Sequence, residues 1–195
     1  MMENVLTAKH LTLRMKLTVK FLISAGIVAL AVALPQFAHL ALGAQAGMQL
    51  LPMYLPVLLG GCLLGARWGL GIGLCAPFVS YLFTTMVIGT PMPAAARLPF
   101  MMAELAVFAV VAGCFTKQIT RHAWMAFPAV WLAQLTGRAF FLLSVTVFQK
   151  LTPFTPAMIA AQIQTGLPGL ALQALVVPLL VIACRALLLR DTRHD

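Results

Sequence analysis

LGIGLCAPFVSYLFTTMVI, residues 70–88, is nineteen consecutive residues without a charge. That length matches the ~20 residues an α-helix needs to cross the hydrocarbon core of a bilayer. The apolar character is continuous, whereas a strand of a membrane barrel would alternate apolar and polar positions. GARWG (65–69) precedes the run, and GTPMPAAAR (89–97), rich in proline and small residues, follows it. The same pattern continues in both directions. Upstream lie FLISAGIVALAVAL (21–34), which continues past Pro35 towards Leu42, and MYLPVLLGGCLL (53–64), short for a span and opened by Leu51-Pro52. Downstream lie LPFMMAELAVFAVVAGCF (98–115), a run over 124–148, and a run over 158–189 interrupted by TGLPG (165–169) and Pro178.

The expected fold is therefore all-α, a polytopic membrane protein built as a six-transmembrane-helix bundle. Residues 1–20 form a cytoplasmic basic amino-terminal segment, 21–189 the membrane domain and 190–195 a cytoplasmic tail. Composition supports this: the 195 residues are 62% hydrophobic and 9% charged, against ~25% charged for a soluble domain. The basic start, the first apolar run and AQA (44–46) imitate a secretory signal peptide. Because later runs are also spans, the start is expected to be an uncleaved topogenic anchor.

Charge placement orients the bundle. With the amino end cytoplasmic, the inside collects Lys9, Arg14, Lys16, Lys20, Arg67, Lys117, Arg121, Arg185, Arg190 and Arg193, while the outside receives Arg97 and Lys150. Ten against two obeys the positive-inside rule. The net charge of +9 is then a topology signal and a contact for the anionic headgroups of the lipid bilayer, not a nucleic-acid footprint. The expected location is the inner (plasma) membrane, with both termini in the cytoplasm.

Several chemistries are absent from the sequence. There is no GxxxxGK[ST] loop, HExxH or GxSxG, and four acidic residues cannot build a two-metal or ATPase site. The four cysteines are scattered without short pairing, as packing residues rather than a disulfide framework or a metal site. Gly65, Gly69 and Gly73 fall four apart, a small-residue spacing that brings helix backbones close. Ala25, Ala29 and Ala33 do the same on the first run, forming a smooth strip for another helix or for packing within the bundle.

Ionisable residues inside spans are costly and therefore candidates for function. Glu104 and Arg138 stand out. At ~1.5 Å per residue their depths differ by about 4–5 Å, so they can pair. The pair is open to two readings, a permanent tie between helices or a site where a ligand carboxylate shares the guanidinium fork. Other polar groups lie towards the same outer half. Gln36 and His39 end the first run, Gln45 and Gln49 follow it, and Arg97 opens the fourth. Gln162 and Gln164 precede the sixth, and Gln134 lies one turn from Arg138. Together they outline an outward-facing binding site comprising His39, Arg97, Glu104, Gln134, Arg138 and Gln164.

The stretches LPMYLPVLLGGCLLGARWGLGIGLCAPFVSYL (51–82), GTPMPAAARLPFMMAELAVFAVVAG (89–113), GRAFF (137–141) and QTGLPGLALQALVVPLLV (164–181) carry a resemblance covering nearly the whole chain after residue 20. In order and spacing they resemble the substrate-binding S component of energy-coupling-factor (ECF) vitamin transporters, nearest to the pantothenate and pyrimidine-precursor types. The resemblance implies that the chain captures a small water-soluble micronutrient at the outer face, beneath loops at 43–52, 89–97 and 149–157. It implies partners as well: a transmembrane T component docking on Ala25, Ala29 and Ala33, and two cytoplasmic ATPases that use ATP. It implies no enzyme activity and no metal or cofactor in this chain. Departures occur at Tyr54, where relatives often have histidine, and at Phe108-Ala109, where they often have Tyr-Gly, so the ligand is not inherited. The competing expectations are a stand-alone facilitator and a membrane enzyme using Glu104 and His39 as acid and base.

Overall fold

The computed structural model describes residues 12–89, 93–148 and 156–191. Among these residues there are seven α-helices and no strands. They are α1 (Leu13–Leu50), α2 (Tyr54–Leu64), α3 (Ala66–Phe83), α4 (Leu98–Cys114), α5 (Thr116–Arg121), α6 (Ala126–Val147) and α7 (Pro156–Asp191). A π-helical turn, Thr84–Ile88, extends α3, and 3₁₀ turns at Ala95–Arg97 and Ala123–Met125 lead into α4 and α6. Five of the helices are long and apolar enough to cross a membrane.

The exception is α2. Its eleven residues span about 16 Å at ~1.5 Å per residue, half of a ~30 Å hydrocarbon core. It is apolar on all sides, as a helix buried within a protein must be. Nine of its residues are buried, against α1, α3, α4 and α7. The six-span expectation thus resolves into five long helices around a short internal one.

Gly65 separates α2 from α3 at φ 92°, a backbone region that a Cβ disfavours. There the chain doubles back, so that Gly61 of α2 and Gly69 of α3 both face Ala109. α4 runs antiparallel to α3, with Gly73 against Leu105 and Ala106, Gly69 against Ala109, and Gly113 against Gly65 and Ala66. At each contact backbone meets backbone, the close approach that small residues permit. Gly69 and Gly73 therefore act as the spacing predicts, whereas Gly65 makes the turn. Thr116 closes this end by donating its hydroxyl to the Gly113 carbonyl at 2.7 Å and the Gly61 carbonyl at 3.3 Å.

Two expected boundaries move. α1 begins at Leu13, inside the basic stretch 1–20, and residues 1–11 lie outside the described residues. The expected loop over 43–52 is mostly helical. α1 kinks at Gly43 (φ 83°), resumes, and ends at Leu51, a non-glycine residue at φ 48°. α7 also runs unbroken through Pro168 and Pro178. Proline cannot donate to the carbonyl four residues back, but Trp131 Nε1 donates to Ala174 O at 3.3 Å, serving the carbonyl that Pro178 leaves open. Membrane helices tolerate proline where neighbours satisfy the freed group in this way. Of the other two expected loops, residues 90–92 and 149–155 lie outside the described residues.

The outer surface is apolar: Phe21, Leu22, Phe37, Leu40, Leu135 and Leu143 are all exposed. A soluble monomer rarely exposes so extensive an apolar surface. Ala25, Ala29 and Ala33 are exposed on α1 as well, with Gly26 beside them facing open space. All four cysteines are free, Cys62 buried in the core and Cys75 and Cys114 exposed.

Candidate functional site

The centre of the bundle holds a polar cluster drawn from three helices. Glu104, mid-way along α4 and 1% exposed, accepts a hydrogen bond from Arg138 of α6, Nη1 to Oε1 at 2.8 Å. Its other oxygen accepts from the Tyr54 hydroxyl at 2.8 Å. Tyr54 opens α2, where its amide donates to Leu51 O at 3.0 Å just beyond Pro52. The carboxylate is thus held at both oxygens, each by a different helix.

Aromatic faces complete the seat of the guanidinium. Arg138 Cζ lies 5.0 Å from the Tyr54 ring centroid and 5.9 Å from that of Phe108, within reach of cation–π attraction. The two rings meet edge to face at 5.2 Å. Phe108, one turn from Glu104, fits because α6 has glycine opposite it; a Cβ at Gly137 would fall 2.6 Å from the Phe108 ring. The GRAFF stretch therefore supplies both the cation and the space beside it.

One donor of the cluster is left over. Arg138 Nε is buried and has no hydrogen-bond partner among the described residues. Arg97 is half-buried in the 3₁₀ turn that leads into α4, seven residues before Glu104. Glu104 is the only acidic residue between positions 4 and 190, and Arg138 is the guanidinium paired with it.

Gln134 Nε2 donates to Leu170 O at 3.2 Å, joining α6 to α7 rather than pointing a free amide at the cluster. Gln164 is exposed on α7, His39 is half-buried on α1, and neither enters the hydrogen-bond network among the described residues. Both oxygens of Glu104 accept, from Tyr54 and Arg138, and no hydrogen bond joins His39 to Glu104 among the described residues. Gln36 Nε2 is buried without a hydrogen-bond partner among the described residues. The side chains of Gln45 and Gln162 lie outside what is described.

Tyr54 and Phe108, which enter the sequence reading only as departures from the resemblance, and Gln173, which does not enter it, complete the arrangement. Gln173 Nε2 donates to both Leu50 O and Leu51 O at 2.9 Å, clasping the end of α1 to α7 three residues before Tyr54. Gly169 lets that end approach, since a Cβ there would fall 2.3 Å from Gln49 O. Gln173→Leu is expected to leave Leu50 O unserved and Leu51 O with the Tyr54 amide alone, at a cost of about 1–3 kcal/mol. Amide exchange over residues 49–54 should accelerate while that of α4 stays slow; unchanged exchange would mean that the clasp holds nothing.

Among the described residues, no three His, Cys, Asp or Glu side chains group as a metal site would require. Comparison with protein-family models, with curated proteins and with solved structures returned no match.

Proposed function

We propose that this chain is the substrate-binding S component of an ECF-type transporter. In this role it captures a small water-soluble vitamin or precursor at the outer face of the inner membrane and passes it inward with a T component and two ATPases. The observation that carries the reading is the buried Tyr54–Glu104–Arg138 cluster inside an apolar bundle. Polar, ionised groups at such depth are expensive and serve solute recognition more often than a lipid-facing scaffold does. In this reading the short α2 counts as the second of six passages, and the positive-inside rule supports cytoplasmic termini. On that topology the kinked end of α1 and Arg97 lie on the outer side.

The exposed strip Ala25, Ala29 and Ala33 supports the docking half of the proposal. It is smooth enough for a partner helix to approach at backbone distance, and it lies on α1, away from the residues of the cluster. Ala29→Trp is expected to abolish uptake in cells carrying the partner subunits while leaving ligand capture by the purified chain intact. If the variant loses binding and uptake equally, the strip is not a docking face. Uptake by liposomes containing this chain alone would instead establish the facilitator reading.

A further inference from the structure

At the end of the bundle where α5 links α4 to α6, we infer a discrete binding site for the headgroup of an anionic phospholipid, seated on Lys117 and Arg121 beside Trp124. The inference is independent of the transport reading and needs only that the long apolar helices stand in a bilayer. α5 has two faces. Thr116 and Ile119 are buried, while Lys117, Gln118 and Arg121 are exposed. Lys117 and Arg121 are four apart on one helix, so their charges lie side by side and repel. No carboxylate among the described side chains relieves them. Glu104 is the only acidic residue between positions 4 and 190, and it is paired with Arg138 inside the bundle.

This basic face is held rigidly, unlike a diffuse excess of charge in a loop. Thr116 fixes one end of α5 through the Gly113 and Gly61 carbonyls. Arg185 of α7 fixes the other, donating Nε at 3.2 Å and Nη2 at 3.0 Å to Thr120 O. That fork also brings a third cation to the carboxyl end of α5, where the carbonyl dipoles favour one. Arg67, exposed, follows directly on Ala66, whose backbone meets Gly113, and adds a fourth at the same end. The neighbouring apolar groups favour a lipid over a soluble anion. Trp124, three residues after Arg121, is 67% exposed, and Leu187, two residues after Arg185, is 69% exposed. Tryptophan collects at the membrane–water interface, so Trp124 sets α5 at the level of the headgroups. A phospholipid satisfies both parts of this surface, its phosphate meeting the cations and its acyl chains the apolar side chains. A soluble anion would meet the charges and leave Trp124 and Leu187 in water.

The test is native mass spectrometry of the full chain, delipidated in a neutral detergent and titrated with phosphatidylglycerol or with phosphatidylcholine of the same acyl chains. The expected result is a phosphatidylglycerol adduct at lipid concentrations where phosphatidylcholine gives none. Lys117→Gln combined with Arg121→Gln should weaken that adduct about 30-fold, the effect of two basic contacts at an anionic surface. Both side chains are exposed, so the helical circular dichroism and its unfolding midpoint should not move. Arg14→Gln combined with Lys16→Gln, at the start of α1, removes the same charge elsewhere and should leave the adduct unchanged. Excess inorganic phosphate should not displace the lipid. Equal retention of the two lipids, or equal loss in the two double variants, overturns the inference, since either shows attraction without a site. Displacement by inorganic phosphate overturns it in favour of a soluble anion. Retention of neither lipid overturns it and leaves the basic face to an acidic protein partner.

Discussion

Glu104→Leu is expected to cost about 3–5 kcal/mol of stability, the range found when one partner of a buried ion pair is removed. The guanidinium of Arg138 would lose its only carboxylate while its Nε already lacks a partner among the described residues. With 9% of its side chain exposed, it has little water to turn to. The Tyr54 hydroxyl would lose its acceptor at the same time. Glu104→Leu combined with Arg138→Met should recover most of the loss, because well-packed apolar side chains replace buried ion pairs at little cost. The double variant should still capture no ligand. Thermal unfolding in detergent, followed by helical circular dichroism, separates the cases. A single-variant loss below about 1 kcal/mol, the scale of an exposed pair, would show that the cluster is solvated. Retained ligand capture in a stable double variant would remove Glu104 and Arg138 from the site.

The second large effect concerns backbone contact. A Cβ at Gly113 would lie 2.4 Å from Ala66 N, 2.6 Å from Ala66 Cα and 2.7 Å from Gly65 C. All three are backbone atoms, so no rotamer change can relieve the overlap, and α4 must move away from the start of α3. Overpacking costs about 1–3 kcal/mol and occasionally more; Gly113→Ala is expected at the top of that range and Gly113→Val above it. Gly71→Ala is the matched control. It lies in α3 with nothing within 4 Å of the added Cβ, and it should gain about 0.5–1 kcal/mol from reduced backbone entropy. Equal midpoints for the two alanine variants would show that α3 and α4 are not held at backbone distance.

The long apolar helices are readable from the sequence because length and continuous apolarity act locally. The Glu104–Arg138 pairing is readable too, since rise per residue converts position into depth. Tyr54 is not. An aromatic residue opening an apolar run looks like core, and only the fold shows its hydroxyl reaching a carboxylate fifty positions away. Gly61 and Gly113 stand next to other small residues, and they gain meaning only from the packing of α4 against α2 and α3. Gln173 escapes for the same reason, as its partners are the carbonyls of Leu50 and Leu51 on another helix. The continuity of α7 through Pro178 depends on Trp131, which no reading of α7 alone could supply.

The shortness of α2 has a consequence for biogenesis. Eleven residues are too few to partition into a bilayer as an independent unit when ~20 are needed. Yet α2 lies at the heart of the bundle and carries Tyr54. Its turn at Gly65 joins it directly to α3, and the two present one apolar hairpin to the insertion machinery. The half-length helix must therefore enter the membrane together with its neighbour, and the Tyr54–Glu104–Arg138 cluster can assemble only after α4 and α6 have followed.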